Sequence, residues 1–72
     1  MRMRTIAVTA KVHISVRFQP VSNNDVTVIT ECNKTRLRRY ECTDYQQGLE
    51  TYYSICDALT DAAALVAQEK EG

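Results

Sequence analysis

The side chains able to do chemistry in this chain are few and scattered. His13 is the sole histidine and stands between Lys11 and Ser15 on the polar side of an alternating stretch. Catalysis by a histidine needs a nucleophile and an orienting acid within reach, and nothing in the spacing singles out such a pair. Asp57 and Asp61 are four residues apart, with Glu50 seven before Asp57, so a helix sets all three carboxylates on one face. Hard-cation sites gather oxygens at loop spacing, and no such cluster accompanies these three. The row therefore reads either as a solvated acidic face or as an imitation of a phosphate backbone that fits a basic groove. Cys32, Cys42 and Cys56 are odd in number, without CxxC spacing or a histidine partner. They read as reduced, buried thiols of a cytoplasmic protein. No cofactor, metal or nucleotide signature is present, so the expectation is a non-enzymatic chain that needs no cofactor.

The remaining candidates are binding residues. Lys34, Arg36, Arg38 and Arg39 make a basic segment, which can track phosphates or enter a DNA groove. It lacks aromatic residues on which bases could stack, and Glu31 and Glu41 flank it. Tyr45, Tyr52 and Tyr53 crowd one short segment; Tyr52 falls on an apolar stripe and Tyr53 beside it, where a tyrosine can anchor an interface. Glu50, Tyr53, Asp57 and Asp61 together form a second candidate contact face.

The elements that must carry these residues follow from periodicity. From Thr5 to Phe18 every even position is apolar: Ile6, Val8, Ala10, Val12, Ile14, Val16, Phe18. A strict period of two, rich in β-branched residues, is a half-buried strand. No Gly or Pro interrupts it, so it reads as one long strand, or as two short ones joined by a bulge. Residues 1–4 read as a frayed basic end. Gln19 to Asp25, with Pro20, Ser22, Asn23 and Asn24, is a loop. Val26, Val28 and Cys32 alternate in a second strand, and Tyr40 and Cys42 in a third. A three-residue hairpin loop, Asn33 to Thr35, would set Cys32 opposite Arg36, Val28 opposite Tyr40 and Val26 opposite Cys42, gathering the apolar residues on one face.

Thr43 and Asp44 are helix N-cap residues followed by Gln46 and Gln47. A helix over about 45–68 follows, with Leu49, Tyr52, Cys56, Leu59, Ala63 and Val66 in a stripe. Gly48 near its start would allow close approach to the sheet, and residues 69–72 should fray.

Length and charge bound the whole. Seventy-two residues make a single domain, 1–72, of two layers at most and of marginal burial. The net charge is zero, yet residues 1–42 hold eight bases against three acids, and residues 43–72 hold six acids against one base. The halves are oppositely charged, as in a molecule with oriented binding faces. There is no secretory apolar region and no membrane-spanning stretch.

The segment NKTRLRRYECTDYQQGLETYYSIC reads as turn, basic strand, polar cap and aromatic-rich helix. In size, class and surface the whole chain resembles small phage-encoded inhibitors of the anti-CRISPR kind. Residues 26–60 resemble the arm-type DNA-binding domain of phage integrases, which lays a three-stranded sheet in the major groove. A double-stranded RNA-binding domain is set aside, because Asp44-Tyr45-Gln46-Gln47 stands where that family has a lysine-rich helix start. The expected fold is α+β, a three-stranded antiparallel meander with one long C-terminal helix on its apolar face. The inhibitor resemblance implies a binding module that occludes a host protein or nucleoprotein complex in the host cytoplasm. The integrase resemblance implies direct DNA binding through the hairpin 34–39. A homodimer through the first strand's edge or through the helix would cover surface that so small a chain leaves open.

Overall fold

The computed structural model describes residues 1–71. The fold is α+β, with an antiparallel sheet and one C-terminal helix, but the sheet has four strands rather than three. The strands are β1 (Arg2–Ala7), β2 (His13–Pro20), β3 (Val26–Cys32) and β4 (Thr35–Cys42), in the order β1-β2-β3-β4; the helix is α1 (Tyr45–Glu71). Among the described residues no helix is long and apolar enough to cross a membrane.

The long alternating stretch is two strands, and the basic end is the first half of β1. The chain reverses at residues 8–12, where Val8 N–H donates to the Val12 carbonyl at 2.9 Å. Thr9 supplies the turn without Gly or Pro. Its Oγ1 accepts the N–H groups of Lys11 (3.2 Å) and Val12 (3.1 Å), beside the backbone turn bond from Val12 N–H to the Thr9 carbonyl at 3.3 Å. The reversal is invisible to periodicity because Arg2 pairs with Phe18, Arg4 with Val16 and Ile6 with Ile14. Even residues therefore share one face on both sides of the turn, and the period of two runs through it unbroken.

The β3–β4 hairpin has a two-residue loop, not three. Cys32 pairs with Thr35, and Asn33 and Lys34 both have positive φ, 50° and 73°. That geometry matches the right-handed twist of the flanking strands. A two-residue loop alone would turn the apolar residues of β4 to the wrong face. A register shift at Thr30/Glu31 repairs it: Glu31 pairs with Arg36 and Thr30 with Arg38, leaving Leu37 as the extra residue of a bulge. Beyond the bulge Val28 pairs with Tyr40 and Val26 with Cys42, the pairings that a one-faced sheet demands.

The core lies between this face and α1: Val16, Phe18, Val26, Val28, Cys42, Tyr52 and Cys56, with Ile6, Tyr40, Leu49, Ile55 and Leu59 at its margin. Each large apolar side chain buried here contributes about 1.5–3 kcal/mol. Phe18 is held edge-on by Tyr45 and Tyr52, with ring centroids 5.4 and 5.9 Å away. The Asp44 carboxylate caps the helix by accepting the Gln46 N–H at 3.0 Å. Gly48 sits directly on Val26: a Cβ there would lie 2.8 Å from Val26 Cβ and Cγ1. The close approach expected of this glycine is real, and it sets how deeply the helix enters the sheet. The 27-residue helix is longer than the strands, so its C-terminal turns reach past the sheet. Helix continues through residues 69–71, where fraying was expected; residue 72 lies outside the described residues.

Candidate functional site

The basic segment does not make one patch. Lys34 occupies the hairpin loop, and the strand alternation with its bulge leaves Arg36 and Arg39 on the open face and Arg38 on the helix-bearing face. Arg38 pairs with Thr30 on the helix-bearing face, its guanidinium 5.2 Å from the Tyr40 ring centroid, a cation–π arrangement. Arg39 pairs with Ile29 on the open face and is neutralised by Glu41 at 3.3 Å. Arg36 stands opposite Glu31, which itself is held by Arg17 at 3.1 Å. Among the described residues Lys34, Arg36 and Arg38 have no ion pair.

The open sheet face thus carries mixed charge, with Arg17, Arg36 and Arg39 set among Glu31 and Glu41, rather than a basic platform. Arg17, Ile29 and Arg39 are consecutive across β2, β3 and β4. Ile29, between the two arginines, is only 7% exposed on a face without a helix. No aromatic ring lies on that face among these paired positions, so nothing there stacks a base.

The helix face is different. Glu50, Tyr53, Asp57 and Asp61 are all exposed. The three carboxylates follow one another along the axis at intervals of about 10 and 6 Å, from the 1.5 Å rise per residue. Between Tyr45 and Glu69 the helix carries no Lys or Arg, so no i, i+4 base neutralises them. Among the described residues none of the three has an ion pair. Tyr53 is 45% exposed, with its ring 5.3 Å from that of Tyr52 and its hydroxyl accepting a hydrogen bond from Arg2 Nη1.

His13 lines a depression of about 360 Å³ with Thr5, Ser15, Asn33 and Lys34. The Thr5 and Ser15 hydroxyls bond each other at 3.1 Å. A second depression, about 250 Å³, lies at the opposite end of the sheet beside Val21, Asp25, Arg39 and Thr43. Among the described residues no group of three or more His, Cys, Asp or Glu is placed to hold a metal ion.

Three residues gained roles that periodicity could not assign. Asn33 ties the two hairpin ends together: its Oδ1 accepts the His13 N–H at 2.9 Å and its Nδ2 donates to the Lys11 carbonyl at 2.9 Å. Arg2 and Arg4 lie on the helix-facing side of β1, Arg2 against Tyr53 and Arg4 beside Cys56. Their even numbering was the one available signal, because it continues the parity of Ile6. Cys56 is fully buried, and burial pushes its thiol up from the ordinary value, with Arg4 opposing. Burial likewise raises the Tyr52 phenol, with the neighbouring Cys56 adding to the effect. Comparison of the chain with known protein families, curated proteins and solved structures finds no match.

Proposed function

We propose that this chain is a non-enzymatic binding module that blocks a larger host protein or nucleoprotein complex by steric occlusion, as a small phage or mobile-element inhibitor does. The acidic face of α1 is its contact surface. The observation that carries this reading is the unneutralised row Glu50, Asp57 and Asp61 on a helix without a base from Tyr45 to Glu69. A rigid line of carboxylates beside an exposed tyrosine suits a basic groove that otherwise receives nucleic acid. Such complementarity speeds encounter and selects the partner. Occupation of the groove would then exclude the nucleic acid without any reaction, in a host cytoplasm.

Direct DNA binding through residues 34–39 is the weaker reading. Arg39 is already paired with Glu41, and the bulge divides Arg36 from Arg38. The test is capture of partners from a bacterial host lysate with and without nuclease, using the wild-type chain and the double variant Asp57→Lys/Asp61→Lys. A stoichiometric protein complex that survives nuclease and is lost in the double variant is expected. Recovery of nucleic acid alone, released by raised salt, would overturn the proposal in favour of DNA binding.

A further inference from the structure

The two edges of the sheet are built differently. β4 is protected: it carries a bulge at Leu37 and the charges of Arg36, Arg38 and Arg39, devices that keep an edge from pairing with another strand. β1 has neither bulge nor Pro nor Lys; its two charges, Arg2 and Arg4, stand on the helix-facing side against α1, and its six residues stay in unbroken register with β2. The Val8 N–H bond to Val12 fixes which backbone groups are free. In an antiparallel ladder inward and outward residues alternate, so Arg2, Arg4 and Ile6 bond to β2, while Met3, Thr5 and Ala7 turn N–H and C=O outward. Met3 and Tyr53, 60% and 45% exposed, flank this open edge.

We propose that the β1 edge is the seam of a two-fold homodimer, in which β1 pairs antiparallel with β1 of a second copy to form an eight-stranded sheet. The charges exclude the registers that bring arginines together. A two-fold at Arg4 would set Arg4 against its own copy, and one at Met3 would set Arg2 against Arg4. A two-fold at Thr5 pairs Thr5 with Thr5, Arg4 with Ile6 and Met3 with Ala7, which separates the arginines. β1 and α1 run parallel, since Arg2 meets Tyr53 and Arg4 lies beside Cys56. The next helical turn therefore passes over Ile6, and its flank carries Asp57 and Asp61. Arg4 of each copy then lies beneath the acidic flank of the other's helix. Both helices fall on the same face of the joined sheet and run antiparallel. A standard interface takes about 800 Å² from each partner, roughly a sixth of the 5103 Å² this chain exposes. The seam turns the flank of Asp57 and Asp61 toward the other copy's Arg4, so it draws on the same helix flank as the partner-binding reading; an oligomer test made at Thr5, which that reading does not use, stands or falls apart from partner capture.

The test is molar mass by light scattering at about 100 μM and on dilution, for the wild-type chain, Thr5→Pro and Thr5→Lys. Proline removes the central outward N–H and leaves the backbone bonds to β2 in place, losing only the Thr5–Ser15 hydroxyl bond, which Thr5→Lys loses as well. Lysine, at an exposed position, sets two like charges directly opposite. The expected result is twice the 8.2 kDa chain mass for the wild type and the single mass for both variants, with unchanged far-ultraviolet circular dichroism. If Thr5→Pro does not fold, Thr5→Lys gives the reading. A wild-type monomer at this concentration overturns the proposal and leaves the edge to an extended segment of another protein. A folded Thr5→Lys that keeps the double mass overturns it as well, by placing the contact elsewhere.

Discussion

Gly48 fixes the distance between the two layers. Any side chain there meets the Cβ of Val26, a branched residue of a central strand with no room to rotate away. Gly48→Ala gains helix propensity but must push α1 off the sheet, and overpacking of this kind costs about 1–3 kcal/mol. A lower urea midpoint with unchanged helix content is the expected outcome. Asn33 and Lys34 carry the left-handed turn between them, and only Asn33 has side-chain bonds that need its identity. Lys34→Gly should raise stability by about 1 kcal/mol, since a left-handed backbone strains an L side chain by that order; Asn33→Ala should lower it by about 1–2 kcal/mol through two lost hydrogen bonds. Chemical denaturation of the pair separates strain from bonding. Cys56 and Tyr52 make stability depend on alkaline pH. Both have folded-state values raised by burial above the ordinary 9.0 and 10.0. The folded state holds its protons more tightly than the unfolded one, so this contribution is complete below about pH 9 and is lost as pH rises through the folded values. Urea midpoints should be level from about pH 7 to 8.5 and fall above pH 9.

At the scale of elements, the helix and the apolar faces of β2, β3 and β4 were legible because period and parity report burial directly. Leu49, Tyr52, Cys56 and Leu59 line the core side of α1, and Val16, Phe18, Val26 and Val28 meet them. The first hairpin was not legible. Its pairs have equal parity, so alternation passes through the turn, and the turn is made by a threonine hydroxyl rather than by Gly, Asn or Pro. The β4 loop length was misread for a related reason. Apolar register demanded an odd offset, which a three-residue loop supplies, and a two-residue loop followed by a bulge supplies equally. Residues cannot signal which of the two occurs when Asn-Lys adopts positive φ without a glycine. Thr9→Ala tests the first hairpin. It removes the acceptor for the Lys11 N–H and one of the two for the Val12 N–H, and should cost about 1 kcal/mol, with faster amide exchange at residues 6–14 before the rest of the sheet.

For the whole molecule, the sequence's charge asymmetry becomes a layer asymmetry: every base of residues 1–42 lies in a strand or in a turn between strands, and the acidic row Glu50, Asp57 and Asp61 lies on the helix. The acidic candidates were legible because helical spacing places them unaided. The basic candidates were dispersed by a bulge that spacing does not reveal. Two charge changes separate the functional readings. Asp57→Lys/Asp61→Lys, at exposed positions, should abolish partner capture while leaving the unfolding midpoint nearly unchanged. Arg36→Ala/Arg38→Ala should leave that capture intact; a loss of DNA retention together with a shallower salt dependence would instead assign the contact to β4.

The position of α1 at the end of the chain order has a consequence during synthesis. The four strands pair with sequence neighbours, so the sheet can close as soon as residue 42 has emerged. Its cover is made afterwards. At about 5–20 residues per second, residues 43–56 take roughly 1–3 s to translate. For that interval Phe18, Val16 and Val28 form a finished apolar surface with nothing on it. The nascent chain is then a target for holdase chaperones, until the turn from Tyr45 to Cys56 arrives and closes the core.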